Sequence, residues 1–198
     1  HILFKAGIKY SDVNFSVNDT SLFVSVQNGK SSINLQDWFL GSCSVKDITF
    51  YDGYKIDAAV ITEKARTVSG DGNANKINGY AKVSSILLGL GGDDELTGGA
   101  YNDTLDGGAG NDVLRGGDGC NQYLFGRGDG KDIIVNTSSG SVLKFKDGIR
   151  KDDVSYIRQG KDIIFSIKNS SDQITVSNWF GLTSYSDYYK LESISFAD

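Results

Sequence analysis

Histidine, cysteine and basic residues are all scarce in this chain, and each shortage narrows what it can do. The single histidine is His1, so neither a His-based catalytic triad nor an HExxH zinc site can be assembled within these residues. The only cysteines, Cys43 and Cys120, are far apart and lack metal-ligand spacing. They make no disulfide framework, and both are expected to be free thiols. Lys and Arg number 20 against 25 Asp and Glu, for a net charge of −5. With no basic cluster, a nucleic-acid partner is not expected. No apolar run approaches transmembrane length and no signal peptide is visible, so this segment is not expected to contact a membrane. Proline and methionine are absent. His1 is followed at once by the apolar Ile2-Leu3-Phe4, which reads as a segment cut from a longer protein.

Glycine is plentiful, and from residue 89 to 124 it is periodic. The chain reads GLGGDDELT, GGAYNDTLD, GGAGNDVLR and GGDGCNQYL, four units of nine residues. Position 6 holds Asp94, Asp103, Asp112 and Asn121; position 8 holds Leu96, Leu105, Leu114 and Tyr123. Glycines first, an acid sixth and an apolar residue eighth predict a parallel β-roll with Ca²⁺ between its turns. Glycine lets the chain bend tightly so that carbonyls point to one side, and Ca²⁺ takes about six to eight oxygen ligands. Two units make one coil, so residues eighteen apart should stack: Asp94 over Asp112, and Asp103 over Asn121. Residues 89–132 carry nine acids and three bases, a net charge of −6, which would repel itself without counterions. Upstream, 70–78 reads as a decayed unit with Lys76 near the acidic position, and 80–88 supplies Leu87 but no turn glycines. These should continue the coil with little or no calcium.

The unit GGAGNDVLR at 107–115 resembles the RTX (repeats-in-toxin) nonapeptide at every defined position. The others depart at Tyr101, at Leu90 and at Asn121, an amide that weakens its site by lacking charge. FGRGDGKDII at 125–134 looks like the closing turn of such an array. The resemblance implies that Asp129 or Asp132, with the Arg127 carbonyl, completes a last site over the third repeat. The candidate metal ligands are thus Asp94, Asp103, Asp112, Asn121, Asp118, Asp129 and Asp132, together with turn residues Gly89, Gly91, Gly98, Ala100, Gly107, Ala109, Gly116 and Arg127. Two to four Ca²⁺ ions are expected.

The two ends of the chain are copies of one another. Ile2–Phe39 aligns without gaps on Leu143–Phe180 at an offset of 141, pairing Phe4 with Phe145, Ile33 with Ile174 and Trp38 with Trp179. The second copy then carries about five extra residues before the two rejoin at 45–52 and 191–198. Alternating apolar residues predict strands near 2–5, 12–17, 21–27, 32–36 and 45–50 and at the matching places in the second copy. NGK (28–30) and NSSD (169–172) read as turns. The Trp-Phe pair predicts a short helical turn, and 57–66 a helix capped by Asp57. The module resembles the haemolysin-type calcium-binding-related region that accompanies RTX arrays, and it should cap an end of the roll. The expected fold is all-β: a short parallel β-roll flanked by two homologous small antiparallel β modules. The expected domains are a first module at 1–56, a connector at 57–84, the calcium roll at 85–136 and a second module at 137–198.

Taken together, the resemblance implies a non-enzymatic calcium-binding folding and secretion domain of a large toxin- or haemolysin-like protein. Such a protein leaves a Gram-negative bacterium by a type I secretion apparatus and folds on Ca²⁺ outside the cell. Rival readings are a ligand-binding module of an RTX adhesin, touching a host-cell surface or glycan, or an accessory domain of a secreted enzyme. Arg127-Gly128-Asp129 spells an integrin-type tripeptide but falls inside the closing turn, and Gly130-Lys131 lacks phosphate-loop spacing. Tyr185, Tyr188 and Tyr189 could form a binding patch, though packed tyrosines of an insertion loop are the plainer expectation.

Overall fold

The computed structural model describes residues 1–27, 31–41, 44–181 and 190–196. The 28–30 turn, Cys43 and the three tyrosines at 185, 188 and 189 lie outside the described residues. Two compact units divide the chain, His1–Thr67 and Val68–Asp198.

The first unit holds strands β1 (Ile2–Leu3), β2 (Val13–Asn18), β3 (Ser21–Val26), β4 (Ser32–Leu35), β5 (Asp47–Thr49) and β6 (Lys55–Asp57), then helix α1 (Ala58–Arg66). β2, β3 and β4 form an antiparallel sheet, while β5 pairs parallel with β1 and antiparallel with β6. The Trp-Phe pair opens a single 3₁₀ turn, Trp38–Leu40. Asp57 caps α1: its Oδ1 accepts the Val60 N–H at 3.0 Å, satisfying a donor that the first turn leaves unpaired. Ile61 and Ala65 of α1 bury themselves among Leu22, Val24, Ile48 and Phe50. Trp38 Nε1 donates to Thr62 Oγ1 at 2.8 Å, tying the helix to the module.

The second unit is a coil of short strands: β7 (Thr67–Ser69, starting at the boundary), β8 (Lys76–Asn78), β9 (Ile86–Leu88), β10 (Glu95–Gly99), β11 (Thr104–Asp106), β12 (Val113–Gly117), β13 (Gln122–Phe125) and β14 (Lys131–Ile134). Then follow β15 (Val142–Phe145), β16 (Val154–Gln159), β17 (Asp162–Ile167), β18 (Gln173–Val176) and β19 (Ser193–Ser195). Odd-numbered β7 to β15 and then β19 make one parallel sheet. β8, β10, β12, β14 and β18 make the other, which β17 and β16 extend antiparallel. The eighth position of each repeat points inward, as the period requires. Ile77, Leu96, Leu114, Ile134 and Val176 run in register along one sheet. Leu87, Leu105, Tyr123, Leu143 and Ile194 run along the other. Leu87, Leu96, Leu105 and Leu114 are wholly buried, and each contributes roughly 1.5–3 kcal/mol by leaving water.

The duplication seen in the sequence is also structural. β1, β2, β3 and β4 correspond to β15, β16, β17 and β18 at the same offset of 141, and β5 corresponds to β19. Even the 3₁₀ turns recur, Tyr10–Asp12 and Lys151–Asp153. The second copy does not merely abut the roll, because its β15 and β18 extend the two roll sheets directly.

Candidate metal centre

The turns of the roll fall on two edges. One edge carries the turns ending at Asn75, Asp94, Asp112 and Asp132; the other carries those ending at Ser85, Asp103, Asn121 and Ser141. Along each edge the sixth position builds a ladder between coils. The Asp94 N–H donates to Asp112 Oδ1 at 2.7 Å, and the Asp112 N–H to Asp132 Oδ1 at 3.0 Å. Above them the Asn75 N–H donates to Asp94 Oδ1 at 2.7 Å. On the other edge the Ser85 N–H donates to Asp103 Oδ1 and the Asp103 N–H to Asn121 Oδ1. The structure therefore brings together Asp94 with Asp112 and Asp103 with Asn121. In the decayed unit Asn75 occupies the sixth position, and Lys76 beside it lies on β8 and pairs with Glu95 Oε2 at 3.1 Å.

Each ladder uses only one oxygen of each carboxylate. Asp94 Oδ2, Asp112 Oδ2 and Asp132 Oδ2 are buried without a hydrogen-bond partner, a costly state for an ionised group in a low-dielectric setting. Burial pushes the Asp112 carboxyl up to about 6, with the neighbouring Asp94 and Asp93 charges adding to the rise. Burial pushes Asp132 further, to about 8, and Asp112 and Asp129 add to it. Asp94 also rises, through burial first and then Asp71 and Asp93. A bound divalent cation would relieve all three. Among the described residues no three His, Cys, Asp or Glu side chains converge, so most ligands of such an ion must be backbone carbonyls. That donor set is all oxygen and suits a hard cation rather than zinc.

The first glycine of each repeat is what leaves the room. A Cβ on Gly89 would overlap Asp94 Oδ2 and the Gly107 carbonyl oxygen, and one on Gly107 would overlap Asp112 Oδ2. Gly107→Ala is therefore expected to weaken calcium binding at least about tenfold, a loss of roughly 1.4 kcal/mol, as read by calorimetric titration. An unchanged affinity would mean that this cradle does not hold the ion. At the second position Leu90 keeps the left-handed φ of 74° that Gly108 and Gly117 hold at 84° and 79°. The stacked coils thus impose the turn even on a leucine.

The edges are not equivalent. In the 116–121 turn, Asn121 Nδ2 points into the space that an ion would fill, donating to the carbonyls of Gly117, Asp118 and Gly119 at 3.4, 3.2 and 3.4 Å. Asp129 is also occupied. Its Oδ2 accepts from the Gly126 N–H at 2.7 Å and from Lys146 Nζ at 2.9 Å, and the same ammonium meets Asp106 Oδ1 at 2.6 Å. Burial works against the Lys146 charge, but these two carboxylates outweigh it and its pKa rises. Asp172 then caps the closing turn, accepting from the Gly128 and Gly130 N–H groups at 3.0 and 3.1 Å. So Asp132 joins the Asp94–Asp112 column, while Asp129 serves the ion pair with Lys146.

Sequence reasoning missed Lys146, Asp106, Asp172 and the fifth position of the repeat. Asp93 Oδ1 accepts the Asn111 N–H at 2.8 Å and Asn102 Oδ1 the Cys120 N–H at 2.8 Å, a second ladder outside the first. Polar residues at 93, 102 and 111 were its only sequence signal.

The second unit is a parallel β-solenoid whose nonapeptide repeats match a calcium-binding family. Residues 88–121 match the RTX calcium-binding nonapeptide repeat (4 copies) family, and residues 162–198 match the haemolysin-type calcium binding protein related domain. The chain is 39% identical over 78 residues to the iron-regulated protein FrpA of Neisseria meningitidis serogroup C. That match covers 37% of this chain and 7% of FrpA. Among solved structures it is similar to the extracellular lipase LipA from Serratia marcescens, with a TM-score of 0.49 and 17% identity over 90% of this chain and 30% of the lipase. The chain spans a small part of either relative.

Proposed function

We propose that this segment is a calcium-driven folding element, itself non-enzymatic, of a protein exported from a Gram-negative bacterium by a type I secretion apparatus. The observation that supports it most is the column of Asp94, Asp112 and Asp132, whose buried second oxygens lack a hydrogen-bond partner. Without calcium these charges oppose the stacking of coils; with calcium they become its ligands. Inside a cell free Ca²⁺ is scarce, and the roll stays unfolded and able to pass an export channel. Outside, calcium reaches the roughly 10⁻⁴–10⁻³ M range in which extracellular modules bind it. An ion that binds only the folded state adds about 1.4 kcal/mol at tenfold saturation, and neighbouring sites sharing Asp112 reinforce one another. The sites we assign are Asp94 with Asp112 and Asp112 with Asp132, each completed by turn carbonyls; beside Asp103 the Asn121 amide takes the place of an ion. Circular dichroism and denaturant unfolding with and without calcium test this. A chain that is fully folded in excess chelator and indifferent to calcium would contradict it. Secretion is tested separately, by export of the full-length protein with and without its transport apparatus.

Protons should partly substitute for calcium. Asp112 and Asp132 have folded-state pKa values raised above the ordinary carboxylate value, so the metal-free fold binds protons more tightly than the unfolded chain. Its stability then falls as pH rises from about 4 to about 8. Asp172 is shifted the other way, its burial outweighed by the two glycine N–H donors, and acts with opposite sign below the ordinary carboxylate range. Calcium binding needs ionised carboxylates and strengthens with pH. In chelator the denaturant midpoint should be higher at pH 5 than at pH 8, and with calcium this order should reverse. A chelator midpoint that does not move with pH would argue against buried, uncompensated acids.

A further inference from the structure

The two copies of the β module differ in what covers them. In the second copy Leu143, Phe145, Ile149, Ile174 and Val176 are wholly buried. The last coil of the roll pairs with four of them, Leu143, Phe145, Ile174 and Val176. Tyr123 and Phe125 lie in register with Leu143 and Phe145, and Ile134 with Val176; the Phe125 and Phe145 rings meet edge to face at 6.2 Å. The matching residues of the first copy are Ile2, Phe4, Ile8, Ile33 and Leu35. There Phe4 is buried as well, but Ile33 is 37% exposed, and Ile2, Ile8 and Leu35 are half-buried. The same two strands are also open at their edges. β15 and β18 pair with β13 and β14, whereas β1 pairs only with β5 and β4 only with β3 among the described residues.

An edge unpaired among the described residues on each of two strands, with partly exposed apolar side chains, is a template for further strands. We propose that this face of the first module is a docking surface for the last coil of another nonapeptide roll, preceding the module in a longer polypeptide as β13 and β14 precede the second copy. The occupant must offer two parallel strands, with apolar side chains at the places that Tyr123, Phe125 and Ile134 hold. A second copy of this chain does not fit. The end of its roll that has the required direction is already covered by its own β15 and β18. The first module would then close one calcium roll while α1 leads into the next.

The test joins a second copy of residues 104–141 ahead of His1, so that Ser141 precedes His1 as it precedes Val142. Amide hydrogen exchange is read at Lys5, Ser32 and Gln36. Their counterparts Lys146, Gln173 and Ser177 donate to Phe125, Gly130 and Ile134 carbonyls at 2.9, 2.8 and 3.0 Å. In the extended chain these three amides should exchange at least about tenfold more slowly than in the 198-residue chain. A control extension with Ser at the positions of Tyr123, Phe125 and Ile134 should leave them fast. Equal rates with and without the extension would overturn the proposal, as would equal slowing by the control. Slowing in the unextended chain as its concentration rises would show pairing between copies instead and would also overturn it. The amides of Asp94 and Asp112 report separately on whether calcium folds the existing roll, so failure of the calcium reading and failure of docking give different patterns.

Discussion

Asp112→Asn should change stability in opposite directions with and without calcium. Asp112 stands in the middle of the column, its Oδ1 accepting from the Asp94 N–H and its own N–H donating to Asp132 Oδ1. Asparagine keeps the acceptor and removes the charge. In chelator the variant should therefore be more stable than the parent, because a buried carboxylate oxygen without a partner no longer has to be accommodated. In calcium it should be less stable, because both ions that we assign to Asp112 lose a carboxylate ligand. The expected result is a loss of two ions by calorimetric titration and at least about a hundredfold more calcium needed for half-folding, roughly 2.7 kcal/mol. Asp112→Ala removes the ladder acceptor as well and should be destabilised in both conditions. Denaturant midpoints for the three proteins, each with and without calcium, check this. A loss in both conditions for Asp112→Asn would make the residue a structural hydrogen-bond acceptor and no more.

Asn121→Asp is expected to do the reverse on the other edge. The Asn121 amide supplies three donations to the carbonyls of its own turn, doing with a neutral N–H₂ group what a bound cation would do at the sites we propose. An aspartate there loses those donations and places a second carboxylate beside Asp103, whose N–H the residue 121 side chain accepts. In chelator this variant should lose roughly 1–3 kcal/mol, the usual consequence of leaving buried polar groups unmatched. In calcium it should recover most of that loss and bind one more ion than the parent. Titration that finds no additional ion would mean that this edge is closed to metal for a reason other than the amide.

Asn121 also shows where sequence reading stopped. Its lack of charge was legible and predicted a weaker site. The direction of its amide was not, since that depends on three carbonyls brought within reach by the turn. The closing turn is a similar case. The resemblance left Asp129 or Asp132 open, and Lys146, which follows Asp129 by seventeen residues and Asp106 by forty, pairs with Asp129. The carboxylate nearer that ammonium was diverted to it. The decayed unit lacks an acid at its sixth position, and the hydrogen bond from the Asn75 N–H to Asp94 Oδ1 keeps its register there.

The nine-residue period by itself determined the roll, its inward leucines and the stacking of Asp94 on Asp112. A solenoid contacts mainly its nearest neighbours, so a local repeat carries its own packing instructions. The duplication at offset 141 likewise determined the strands of both modules. What only the tertiary structure decided is how alike sequences come to differ. One edge of the roll stacks three buried carboxylates, Asp94, Asp112 and Asp132, while the other sets the Asn121 amide beneath Asp103. One copy of the module merges into the sheets of the roll, while in the other two strand edges are unpaired among the described residues. Those differences arise because a side chain's chemistry depends on the neighbours that the fold brings to it, and those neighbours lie eighteen, forty or more residues away.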